Sequence, residues 1–238
     1  AALIPIRGTA FAAMWMERGP TPYAIMLLTM WAVAILFVKW RKLALQRRAL
    51  SIRVMPDDPT YVLSAMTVEP VLTRVYASVD DPRNFMLFNR IVVALSNLRN
   101  LGRVGDVDEI LRSQAAQDES AVETSYAVLS GLVWAIPVLG FIGTVMGLAS
   151  AIGEFSGVLG AATDVEQITE SLKGVTGGLS TAFETTLEAL VCALLVQLSI
   201  TFLRKNEEEF LDEAMDYGIR FVVSRLRILS VRMESGTD

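Results

Sequence analysis

The sequence predicts an all-α integral membrane protein with three transmembrane helices, a helical cytoplasmic insertion and a C-terminal cytoplasmic helix, on three observations. The 238 residues are 53% hydrophobic with a mean hydropathy of +0.45, yet the charges sit in blocks between long apolar runs, as in a polytopic membrane protein with a soluble part. No charge occurs across residues 124–153, a stretch that a helix extends to about 45 Å, more than the roughly 30 Å of a bilayer core. Basic residues crowd behind the first and third apolar runs and are scarce behind the second, the positive-inside pattern for three alternating crossings.

Composition also removes function classes. Histidine is absent, which takes away imidazole ligands, triad bases and histidine proton relays. The net charge of −5 is spread over both signs and leaves no nucleic-acid footprint. Cys192 is the only cysteine, so an intrachain disulfide is excluded and a zinc site disfavoured. With no glycine-rich phosphate loop, nucleophile elbow or metal cluster, the chain reads as a non-enzyme that needs no cofactor and no bound metal.

Residues 1–20 hold apolar runs broken by Pro5, Arg7 and Gly8, too short to span, and read as an interfacial or periplasmic segment. They lack the basic n-region of a signal peptide. Residues 21–38 are uncharged and are followed by Lys39, Arg41, Lys42, Arg47, Arg48 and Arg53, which places the end of this span in the cytoplasm and the N-terminus outside. Trp40 falls where an interfacial anchor belongs; Trp31, in mid-span, is expected to be packed. Residues 39–123 are too charged for lipid and read as a cytoplasmic helical region. Asp57-Asp-Pro-Thr60 and Asp80-Asp-Pro-Arg83 look like helix starts, an acidic cap followed by proline in the first turn. Leu87, Ile91, Val92 and Leu95, then Val107, Ile110 and Leu111 after the Gly102-x-x-Gly105 break, recur at helical spacing.

Residues 124–153 form the second span. Residues 154–173, with Lys173 against Glu154, Asp164, Glu166 and Glu170, read as a periplasmic loop. Residues 174–203 form the third span, interrupted by Glu184 and Glu188, and residues 204–238 read as a cytoplasmic helix with Phe210, Met215, Ile219 and Val222 on one side.

The polar groups of the last two spans are the candidate functional residues. Counted back from Arg204, Thr186 lies about 27 Å deep, Glu184 near 30 Å and Glu188 near 24 Å. Ionisable residues at such depth are costly and face protein or water. At 100° per residue Thr186 points about 160° away from both glutamates, whereas Thr181, Thr185 and Glu188 share another face. Gly140, Gly143 and Gly147 give the second helix a narrow side that lets another backbone approach closely, with Thr144 as its one polar group. Spacing alone leaves two readings of Thr144 and Thr186 open: hydroxyls that line an ion path, or hydroxyls that bond a carbonyl one turn back.

The run Pro137-x-x-Gly140-x-x-Gly143-Thr144-Val145-x-Gly147, followed by Ala182-Phe-Glu-Thr-Thr186, resembles the MotA/TolQ/ExbB proton-channel family, in its three-span TolQ/ExbB-like branch. The resemblance covers about residues 105–205 well. It implies that Thr144 and Thr186 match the family's two channel-facing threonines, with Pro137, Gly140, Gly143 and Gly147 packing helices. Thr185 stands where proton-driven members usually have alanine and sodium-driven ones threonine. Protons are the first reading for the transported ion and sodium the second. Glu184 matches no position of the pattern, and Glu188 departs from a small or apolar site; both read as secondary polar residues.

No aspartate lies in any span, so a partner must supply the ion-carrying carboxylate. The resemblance implies a homopentamer around a dimer of a single-span TolR-, ExbD- or MotB-type protein carrying that aspartate. Together they would form a stator-like motor and channel complex in the bacterial inner membrane, in contact with lipid and not with nucleic acid. The small-residue contacts of the second span, Gly143 among them, are expected to help join neighbouring copies of the ring. The competing readings are a non-conducting structural membrane scaffold, whose function would survive loss of Thr144 or Thr186, and a stand-alone cation channel, which would conduct without a partner.

Overall fold

The computed structural model describes residues 20–56, 61–101, 105–161 and 165–226. Its helices are α1 (Thr21–Leu50), α2 (Glu69–Ser78), α3 (Met86–Leu101), α4 (Gly105–Ser125), α5 (Ala127–Ala161) and α6 (Val165–Tyr217). The regular pairing outside helices, among the described residues, is a single bridge between Leu63 and Leu226. Three helical stretches are long and apolar enough to cross a membrane, so the fold is all-α with three candidate spans. The chain divides into an apolar unit, reaching Val38 and resuming over Tyr126–Leu203, and a charged unit of Lys39–Ser125 and the chain from Arg204 onward.

In the apolar unit, α1 turns Ile25, Ala32 and Leu36 inward, spaced by seven and four residues so that they lie along one side of a helix. Ile25 packs with Ile136 of α5 and with Ala189 and Ala193 of α6, and Leu28, Leu139 and Cys192 close over this cluster. Trp31 does not pack: it is 56% exposed, because the position beside it, Ala32, takes the contact line and Trp31 is rotated about 100° off it. Trp40, at the start of the charged unit, is exposed as well.

The charged unit has its own core. Leu87, Phe88, Ile91, Leu95 and Leu98 of α3, Val71, Leu72 and Val75 of α2, and Val107 and Leu111 of α4 are all buried, and α3 packs against both α2 and α4. Each such side chain is worth about 1.5–3 kcal/mol relative to exposure. The Asp81 carboxylate accepts from Arg83 N–H at 3.0 Å, as its cap pattern anticipates, but it starts a short 3-10 turn, Pro82–Asn84, just before α3. Gln46 of α1 ties that turn in place, donating to Asn84 O at 2.7 Å and accepting from Met86 N–H at 3.0 Å. Arg90, 2% exposed, pairs with Asp118 of α4 at 2.6 Å.

Three boundaries differ from expectation. Residues 154–173 are largely helical, since α5 runs to Ala161 and α6 starts at Val165: the stretch contains no proline, and its acidic residues are tolerated at helix surfaces. The C-terminal helix stops at Tyr217 and passes through a π-type turn, Gly218–Val222, and a 3-10 turn, Val223–Arg225. Its buried side is Phe210, Leu211, Ala214, Tyr217 and Val222, with Met215 half-buried and Ile219 exposed. On a straight helix Ala214 and Tyr217 lie within about 40° of Phe210, whereas Met215 and Ile219 lie about 140° and 180° round from it, so the expected apolar set did not share one side. Residues 1–19, the Asp57-Asp-Pro-Thr60 start and most of the Gly102-x-x-Gly105 break lie outside the described residues.

Candidate functional site: the small-residue seam and its threonine pair

Helices α5 and α6 pack along small residues. A Cβ on Gly140 would sit 2.5 Å from Ala189 Cβ and 3.3 Å from Thr186 Cα; one on Gly143 would meet Thr185 Cγ2 at 3.2 Å; one on Gly147 would meet Ala182 Cβ at 3.1 Å; and one on Gly178 would meet Ala151 Cβ at 3.0 Å. As the α5 partner advances along the chain the α6 partner retreats by nearly the same number, which is antiparallel register. The glycines thus bring two backbones together within one chain, and at Gly140 the opposing surface includes backbone. Gly143 also faces Thr21 of α1, whose Cγ2 lies 3.1 Å from the same hypothetical Cβ. Gly143, expected to help join neighbouring copies of the chain, packs here against α6 and α1 of its own chain. Pro137 stands inside α5, one turn before Gly140, where it removes one helical N–H donor.

At the centre of this seam the two predicted threonines meet. Thr144 Oγ1 hydrogen-bonds with Thr186 Oγ1. Thr144 Oγ1 also lies 3.0 Å from Ala182 O across the seam and 3.3 Å from Gly140 O one turn back, and Thr186 Oγ1 donates to Gly140 O at 2.8 Å. Two hydroxyl protons serve four close contacts, so each hydroxyl retains acceptor capacity and the proton arrangement can switch without moving heavy atoms. A hydroxyl bonded solely to its own helix would have Thr186 on Ala182 O; instead Thr144 approaches that carbonyl from the other helix.

The remaining candidates fall elsewhere. Thr185 is 4% exposed and donates to Thr181 O at 3.0 Å, with its methyl against Gly143, so it is a packing contact beside the pair and not a third member of it. Thr181 donates to Gly177 O at 3.0 Å, and Glu184 accepts from Ser180 Oγ at 3.2 Å. Glu188 is buried, at 8% exposure, one turn along α6 from Glu184. Sequence reasoning had Ala182 only as the start of the motif run and missed that its carbonyl faces Thr144; it also missed Ala189, which sits beneath Gly140. Their signal was present: Gly178, Ala182, Thr185, Ala189 and Ala193 repeat at spacings of three and four, a small-residue face on α6 that mirrors the glycines of α5. Among the described residues no group of His, Cys, Asp or Glu could hold a metal ion.

Residues 87–215, more than half of the chain, match the model of the MotA/TolQ/ExbB proton channel family. The chain belongs to that family. Comparison with curated proteins and with solved structures yields no match. The match takes in α5 and all but the last two residues of α6, so the Thr144–Thr186 pair lies within the part of the chain that defines membership. The MotA/TolQ/ExbB family is one of channel- and motor-type membrane proteins and not of enzymes, and its members work with single-span partners such as MotB, TolR and ExbD.

Proposed function

We propose that this chain is the ring-forming subunit of an ion-driven inner-membrane motor of the TolQ/ExbB type, and that Thr144 and Thr186 form its contact with the moving ion. The observation that carries the reading is the pair itself: two hydroxyls from antiparallel spans meet, with more acceptor sites than protons to fill them. A partner's membrane carboxylate, protonated or ion-bound, finds there both a donor and an acceptor. Its neutralised and charged forms bind such a site differently, and that difference is what a stepping mechanism requires. The absence of aspartate from the three spans agrees with a carrier supplied in trans. In this reading five copies surround a dimer of a single-span protein, with the N-terminus outside, the basic ends of the first and third spans in the cytoplasm, and protons as the driving ion.

Ion flux into liposomes holding the chain with its co-purified membrane partner tests this. Thr144→Val and Thr186→Val, close in shape but without the hydroxyl, should each slow gradient-driven flux about tenfold, the equivalent of roughly one hydrogen bond to the ion or its carrier. Thr186→Ser should retain it. Full flux in both valine variants, with the complex still assembled, would take Thr144 and Thr186 out of the ion path, and no flux in the assembled parent complex would return the protein to the scaffold reading.

A further inference from the structure

The charged unit contains an open cavity of about 190 Å³ lined by Lys39, Lys42, Leu43, Gln46, Met86, Ala121, Val122, Ser125, Glu207 and Phe210. We propose that it is a binding site for one anionic phospholipid, with Lys42 on the phosphate and the start of an acyl chain against the apolar wall. The inference is independent of how the threonine pair is read.

The polar side chains around the cavity, Lys42 apart, are already engaged by the protein. Lys39 Nζ donates to Ser125 Oγ at 2.8 Å and pairs with Glu207 at 3.0 Å. Gln46 is held by Asn84 and Met86 through its two amide atoms. No described residue lies within hydrogen-bond or ion-pair distance of the Lys42 ammonium. Lys39 and Glu207 cancel, so the cavity carries one uncompensated positive charge at its edge. From Lys39 to Arg53 the chain has six basic residues and no acidic one, which adds to the attraction for an anion.

The wall itself is hydrocarbon: Leu43, Met86, Ala121, Val122 and Phe210. Water needs two to four polar partners to be held in such a place, and those groups are already taken, so an acyl chain is the better filling. The level in the sequence is also right for a lipid. Lys39 directly follows the first apolar run, Ser125 lies at the start of the second, and Glu207 stands one turn after the third, with Trp40 exposed nearby. Basic pockets of this kind at the ends of spanning helices recognise anionic headgroups.

The test uses the full chain, purified in mild detergent and stripped of lipid, with phosphatidylglycerol or phosphatidylcholine of identical acyl chains added back and retained lipid counted by native mass spectrometry. The parent should hold one phosphatidylglycerol more tightly than phosphatidylcholine. Lys42→Gln should lower that preference about fivefold, the effect of one basic side chain at an anionic surface, while Lys42→Arg preserves it and Arg41→Gln leaves it nearly unchanged. Ala121→Trp, which fills the cavity, should weaken both lipids. Thermal unfolding of each variant in the same detergent shows that the fold is retained. Equal retention of the two lipids by the parent would overturn the proposal, as would equal losses in Lys42→Gln and Arg41→Gln. Crosslinks from Lys42 to a second copy of the lipid-free chain would assign the cavity to a protein contact and overturn it as well.

Discussion

Replacing Gly140 by alanine tests the close approach of α5 and α6. The added Cβ would lie 2.5 Å from Ala189 Cβ and 3.3 Å from Thr186 Cα, whereas carbon atoms in contact prefer about 3.5–4.0 Å. The helices must separate by roughly 1 Å at this level, an overpacking cost of about 1–3 kcal/mol. The same movement stretches the Thr186 bond to Gly140 O, now 2.8 Å, and so forfeits about 1 kcal/mol more. Gly131, on the same helix, has nothing within 4 Å of its hypothetical Cβ, so Gly131→Ala gains the same helix propensity without the clash. The difference between the two variants should therefore be about 2–4 kcal/mol, read by denaturant titration of the purified chain in one detergent. Ala189→Gly placed on Gly140→Ala should recover part of the loss, because it removes the nearest atom and leaves the 3.3 Å contact with Thr186 Cα. Equal stability of Gly140→Ala and Gly131→Ala, or no recovery in the double variant, would refute the packing account.

Thr185→Ala should leave flux and its dependence on sodium unchanged, since Thr185 is bonded to Thr181 O and packed on Gly143; flux measured across a sodium series at fixed pH and membrane potential checks this. Glu188→Gln, on the side of α6 away from Thr186, should likewise keep gradient-driven flux while altering thermal stability. Lys39→Met should destabilise the chain by about 3 kcal/mol, because it strands the Glu207 carboxylate, whose side chain is 11% exposed; adding Glu207→Gln should restore much of that, and Arg204→Met at an exposed pair should cost under about 1 kcal/mol. Burial pushes the Tyr217 phenol above its ordinary value, against the opposing pull of the Val54 N–H, Arg53 and Arg225. A raised native value means that this contribution is complete below about pH 10 and is lost as pH rises through and beyond it. Tyr217→Phe should make the unfolding midpoint less steep in that alkaline range, at the cost of the Ile52 O and Val54 N–H bonds.

The sequence by itself determined the fold class, the three apolar runs and the motif residues of the family, because length, hydropathy and glycine spacing are properties of the chain that a bilayer reads directly. It also placed Thr144 and Thr186 at matching positions on consecutive helices. What it left open was which neighbour each residue meets. Register decided that: an antiparallel seam sets Gly140 over Ala189 and joins the two hydroxyls, while the adjacent Thr185, a single residue away, is turned into packing against Gly143. Tertiary contact likewise decided that the glycine side is filled within the chain, that Trp31 stays exposed beside a buried Ala32, and that the last helix ends at Tyr217. Helical periodicity gives the direction of a side chain from its own axis, but the partner on the other side depends on how two helices are staggered and rotated. That offset is set by the summed fit of many small contacts, which no local pattern in the chain contains.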